Sequence, residues 1–249
     1  MRKKALIPVV AVALLAAGGA AILVKERSSA PDASSGDYRS TPGEASKSEA
    51  DGQHAVEAAH IGDTLQKQHQ PHPFPDMAKS RDRLPLDADP FIAESKDEQR
   101  WLDRNGYPNA EQWNTYSSAP DHVLMQAADA GDKIAYVMLE GRALAKGDKT
   151  AINGLLDEAS SGSNFAIMTL AAYMAGSPGS NLELGYAYSR VAEMRGDYRI
   201  AAAREGMFPR ALTSEEKLRG EARALSIFNE LKKASRINQF VDPRPIGSR

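Results

Sequence analysis

The sequence predicts an all-α protein, a short array of helix-turn-helix repeats, on three observations. First, Ala127-Ala128-Asp129-Ala130-Gly131-Asp132, Glu158-Ala159-Ser160-Ser161-Gly162-Ser163 and Ala192-Glu193-Met194-Arg195-Gly196-Asp197 recur with their glycines 31 and then 34 residues apart. A period in that range belongs to helical arrays, which bury a core only by stacking neighbouring repeats. Second, Ala135, Leu139 and Ala143 follow Gly131 at steps of four, and Ala166 and Leu170 follow Gly162 in the same way. Residues four apart share a helix face, so each glycine opens onto a small–leucine stripe that lets a neighbouring helix approach. Third, no segment alternates apolar and polar residues with the two-residue period of a strand.

The elements follow in order. Arg2, Lys3 and Lys4 precede an uncharged apolar run over residues 5–24. Twenty residues at 1.5 Å each give about 30 Å, the thickness of a bilayer core. The basic flank orients that end toward the cytoplasm. The expectation is therefore a signal anchor over residues 1–27 in the inner membrane, with the remainder periplasmic. A cleaved signal peptide is the competing reading, with Gly18 and Ala20 as small residues near a cleavage site, but the apolar run continues past them. Residues 28–95 read as a disordered linker. They hold seven prolines from Pro31 to Pro90, many Ser, Asp, Gln and His, and little apolar periodicity beyond a marginal helix over 55–68. As a flexible coil the linker would reach about 45–50 Å.

The folded domain is expected over residues 96–240. Helices are predicted over 96–105, with Trp101 and Leu102 inward and Gly106 closing it, and over 109–116 with Trp113 inward. A third, over 121–130, takes Asp121 as its N-cap. The second helices of the repeats fall at 149–160 and 182–195. Each repeat glycine suits the left-handed residue that ends a helix. Residues 164–176 (Phe165, Ile167, Met168, Leu170, Tyr173 and Met174 among alanines) are apolar nearly all round, which predicts burial on most sides. Thr213-Ser214-Glu215-Glu216 is a capping box. It opens a last helix to about 233–235, with Leu218, Leu225, Phe228 and Leu231 at helical spacing and Lys232, Lys233 and Arg236 at its negative end. This helix reads as a cap over the open end of the array, with dimerisation through its apolar stripe as the other reading. Residues 241–249 form a flexible tail.

These residues resemble the Sel1-like repeat family, a branch of the tetratricopeptide-like solenoids. Ala166, Leu170 and Tyr173 look like that family's first helix, and Tyr186 to Gly196 like its second. The resemblance covers residues 121–206 and is degenerate. Glu140 and Ala171 stand where the family has glycine. The turns reduce to Lys146-Gly147-Asp148 and Gly176-Ser177-Pro178-Gly179, and Ile200 and Arg204 replace alanine and leucine in the third unit. The resemblance implies a concave face carrying Ile134, Val137, Phe165 and Met168. Either a segment of the same chain covers these side chains or they form a groove for a partner peptide.

Composition narrows the chemistry. The chain has no cysteine, which removes disulfides, thiol catalysis, thiolate metal sites and a lipoprotein anchor. A formal charge of −2 gives no basic bias toward nucleic acid. His54, His60, His69 and His72 fall within nineteen residues of the expected linker. Their side chains can bind zinc, nickel or copper, but a defined site needs a fixed donor set. His122 follows the expected N-cap alone, with no Gly-x-Ser-x-Gly elbow and no His-Glu-x-x-His. Asp157-Glu158 and Glu215-Glu216 are adjacent pairs whose side chains diverge by about 100° on a helix. No catalytic residue, metal site or cofactor is expected. The functional expectation is a membrane-anchored interaction scaffold that docks envelope proteins. The alternatives are an envelope hydrolase using His122 or carboxylates, and metal sequestration through the histidine-bearing linker.

Overall fold

Ser95 accepts a hydrogen bond from the Glu98 amide at 3.2 Å and so starts the first helix of the computed structural model, which describes residues 71–177, 181–234 and 243. The elements are α1 (Lys96–Arg104), α2 (Ala110–Ser118), α3 (Asp121–Asp129), α4 (Lys133–Ala145), α5 (Ala151–Ser160), α6 (Asn164–Gly176), α7 (Leu182–Met194), α8 (Tyr198–Ala203) and α9 (Ser214–Ala234). Short 3-10 turns lie at Leu86–Ala88 and Arg204–Met207, and no strand occurs among the described residues. None of these helices is long and apolar enough to cross a membrane; residues 5–24 and the marginal helix at 55–68 lie outside the described residues.

Helices α3 to α8 fall into three successive pairs, each turning on a repeat glycine. Gly131, Gly162 and Gly196 take φ of 93°, 107° and 94°, values that a side chain disfavours. Asp132 and Ser163 then cap α4 and α6 through their side-chain oxygens. Ala135, Ala166 and Leu170 are fully buried, as the stripe predicted, whereas Leu139 is only partly so. Eight residues of α6 are buried, which makes it the central helix of the core. Gly185 lets α7 lie against it, for a Cβ there would sit 2.9 Å from the Ala175 amide nitrogen. The third pair is abbreviated. Helix α8 has six residues, ends in a 3-10 turn, and buries only Ile200.

Three expectations need correction. The domain begins well before Ser95: residues 71–95, read as linker, pack against α1, α2 and the repeat helices. Their scarcity of apolar periodicity hid this, because they are held by polar contacts and a few aromatic rings. Arg81 is fully buried. It donates to Asp89 at 2.7 Å, to Asp103 at 2.6 Å, and to the Tyr107 and Pro108 carbonyls at 2.9 and 2.6 Å. Phe91 sits among Tyr107, Trp113 and Phe165. Ile92 beside it takes φ 56°, a costly conformation for a β-branched residue, with its amide donating to the Asp89 carbonyl at 3.0 Å.

The N-cap of α3 is Pro120, not Asp121. The Asp121 carboxylate instead accepts from Arg142 at 3.0 Å and from Lys146, and these hydrogen bonds, Lys146 first, hold it below the usual carboxylate range. Two guanidinium groups close helix ends in matching ways. Arg142 donates to the Tyr116, Ser117 and Ala119 carbonyls at the end of α2, and Arg195 to Ala159 at the end of α5. The last correction concerns α9. Its capping box is present, with Thr213 Oγ1 accepting from Glu216 at 3.1 Å and Glu216 accepting from Thr213 at 2.8 Å. The helix packs on α7 through Gly220, Ala224 and Leu231, while Leu218 and Leu225 face solvent.

Candidate functional site

The expected concave site is not open. Val137 is 1% exposed and Phe165 0%, and Ile134 and Met168 pack half-buried against the same core. The Phe91 ring meets Phe165 edge-on at 6.2 Å, and Tyr107 lies 5.9 Å away on a tilt. Of the two alternatives left by the sequence, coverage by the chain itself is the one observed. Phe165 and Val137 are therefore core residues.

The N-terminal ends of α4, α6 and α8 are met by groups from the α1–α2 region, Asn105, Tyr107 and Tyr116, with His72 of the covering segment beside α4. At α4, Asp132 uses Oδ1 to accept from the Ile134 and Ala135 amides. Its Oδ2 accepts from the Tyr116 hydroxyl at 2.6 Å. His72 Nε2 lies 3.4 Å from that same oxygen. At that distance the contact is not a well-directed hydrogen bond, and Nε2 has no other partner among the described residues. The Phe74 amide donates to His72 Nδ1 at 3.1 Å, fixing the ring. At α6, the Asn105 carbonyl accepts from the Asn164 amide at 3.0 Å, satisfying a donor that the helix itself leaves free. At α8, Asp197 accepts from the Tyr107 hydroxyl.

Chemically, the helix-end groups just named are satisfied, whereas the buried Asn164 side chain at the start of α6 has neither of its polar atoms hydrogen-bonded. Burial, and then the hydrogen bond to Asp132, push the Tyr116 phenol up, so it stays protonated and donates. Asp132 is committed on both oxygens. His72, expected in a free tether, is docked; His54, His60 and His69 lie outside the described residues. Among the described residues no three histidine or carboxylate groups cluster in a way that could hold a metal ion. His122 is exposed on α3. Glu158 pairs with Lys133 at 3.4 Å.

What remains bare is on the solvent side of the helices. Leu218 is 72% exposed, Leu225 55% and Met125 51%. The first two belong to the apolar stripe of α9 and lie on its solvent side, away from α7. The signal that separates the sides is residue size, since Gly220 and Ala224 fit where α7 is close. A Cβ on Gly220 would fall 2.5 Å from the Tyr186 ring. Compared with family models, with curated proteins and with solved structures, the chain matches none.

Proposed function

We propose that this chain is a membrane-tethered scaffold working outside the cytoplasm, a degenerate Sel1-like repeat domain that docks envelope proteins on its solvent-facing helices. The tether is residues 5–24, supported by their length, their apolar character and the basic flank before them. The observation that carries the docking reading is the exposure of Met125, Leu218 and Leu225 on regular helices while the inner face is filled by residues 71–95. Leu218 and Leu225, seven residues apart, share one face of α9, and an apolar stripe on a regular helix favours a protein partner over water. The docking surface is accordingly the outer one, and the concave positions support it from inside.

Two measurements test this. A reporter active only outside the cytoplasm, fused after Arg249, is expected to be active; an inactive fusion overturns the topology. A photo-crosslinking residue at position 125 or 225 in intact cells is expected to capture protein, while one at position 168 captures none. Capture from position 168 alone would return the site to the concave face.

A further inference from the structure

We propose that the outer face of α9 pairs with the same face of a second copy of this chain, the two helices running antiparallel. The inference rests on the reading of the outer surface as the docking surface, and names the occupant of its α9 portion. Glu215, Leu218, Ala222, Leu225, Asn229 and Lys232 recur at steps of three, four, three, four and three. That is the heptad spacing of a seam between two helices. All six are exposed, while the face of α9 turned to its own domain uses Gly220, Ala224 and Leu231. The helix thus carries two packing faces, and one has no partner among the described residues.

The spacing reads the same in both directions, and this selects the occupant. A copy turned end to end about the midpoint between Arg223 and Ala224 lays one stripe on the other. Glu215 then faces Lys232 of the second copy, Leu218 faces Asn229 of the second copy, and Ala222 faces Leu225 of the second copy. Alanine opposite leucine lets the helices approach closely while filling the seam. Asn229 is a polar seam residue of the kind that fixes register at some cost in affinity. The acidic first turn and the basic last turn of α9 come together, and each positive helix end lies beside a negative one. Glu215 also pairs with Arg219 of its own helix through one carboxylate oxygen. A parallel arrangement sets Glu215 against its own copy and Lys232 against its own copy, a like-charge contact at both ends. A lipid surface is disfavoured by Glu215 and Glu230 on the same exposed side as the lysines.

The 21 residues of α9 span about 30 Å. One helix–helix seam of that length lies at the low end of stable interfaces, so the pairing is concentration-dependent. Two tethered copies in one membrane would meet at a raised effective concentration.

The chain has no cysteine, so one introduced thiol is unique. Full-length Glu215→Cys and Lys232→Cys chains, mixed in mild detergent and oxidised, are expected to join to each other about tenfold more than either joins to itself. Equal self-joining of Glu215→Cys, or no joining in the mixture, overturns the pairing. Lys232→Glu should weaken association about tenfold by sedimentation, and adding Glu215→Lys in the same chain should restore it. Association insensitive to both changes places the contact elsewhere and overturns the proposal. If the mixture fails to join while position 125 still captures other proteins, the pairing is wrong and the scaffold reading stands. If the mixture joins but neither position 125 nor position 225 captures any other protein, the pairing stands and docking of envelope proteins fails.

Discussion

Residues 71–95 and helix α9 both close the repeat array, one by burying charge and the other while leaving leucine in water. The first segment carries prolines, charges and few apolar residues, yet it brings Arg81 to full burial and covers Phe165. The second has a capping box and strong helical spacing, yet seals itself to α7 through glycine and alanine and leaves Leu218 and Leu225 outside. The difference teaches that composition ranks these two segments in the wrong order. A guanidinium with two carboxylates and two carbonyls can anchor an extended segment, while close helix packing rewards small residues over large ones.

The comparison breaks most severely at the first closure. Arg81→Met removes the cation and leaves Asp89 and Asp103 without it, at a cost of about 3–5 kcal/mol. Phe165→Ser opens a cavity under Phe91 and costs a similar ~3–5 kcal/mol. Both are read by denaturant unfolding, against a total stability of about 5–15 kcal/mol. Both should also bring protease cleavage within residues 71–95 under native conditions. A Phe165→Ser protein with unchanged stability would mean that the inner face is open after all.

The second closure is sharper to probe because its two faces predict opposite outcomes. Gly220→Ala drives a Cβ into Tyr186 and toward the Glu183 carbonyl. Overpacking of this kind costs about 1–3 kcal/mol, offset by about 1 kcal/mol of helix propensity. A net loss of about 1 kcal/mol is expected in thermal or denaturant unfolding. Leu225→Ser, about one and a half turns along the helix on the opposite face, should change monomer stability by less than about 0.5 kcal/mol. Equal losses from the two would show that α9 is rotated from the orientation described.

Much of the array was legible before the structure, and the reason is local. Gly131, Gly162 and Gly196 mark helix ends because they adopt left-handed φ, and the helix Asn164–Gly176 was bounded correctly, its all-round apolar composition marking its burial. Helices announce themselves through contacts three and four residues apart. Residues 71–95 make contacts 22 to 33 residues away instead, from Arg81 to Asp103 and from Ala78 to Asn109 and Glu111. No local pattern encodes such pairings. The concave positions Ile134, Val137, Phe165 and Met168 were placed on one packed face, but what lies over that face depends on the same distant pairings. The side of α9 was legible in principle, because Gly220 and Ala224 at four-residue spacing mark close approach as surely as leucine marks burial.

Glu140 offers the smallest and most specific contrast with Arg81, because it is a half-buried charge in the middle of the array. Burial raises its carboxyl above the ordinary value of 4.5, the Tyr136 hydroxyl pulls it back in part, and Asp148 adds to the rise. A carboxyl raised in the folded state favours folding while protonated. Its contribution is fully present below the unfolded value and is lost as pH increases through the raised folded value. Glu140→Gln keeps an acceptor for Tyr136 and removes the ionisation. The variant should therefore match the natural protein at acid pH and exceed it at neutral pH. The gain is on the order of 0.5 kcal/mol, because solvent screens a partly exposed group. Unfolding midpoints from about pH 4 to 8 read the effect directly. A variant that is less stable at neutral pH would show that the Glu140 carboxylate is an anchor of the kind found at Arg81, with a cationic partner in solution.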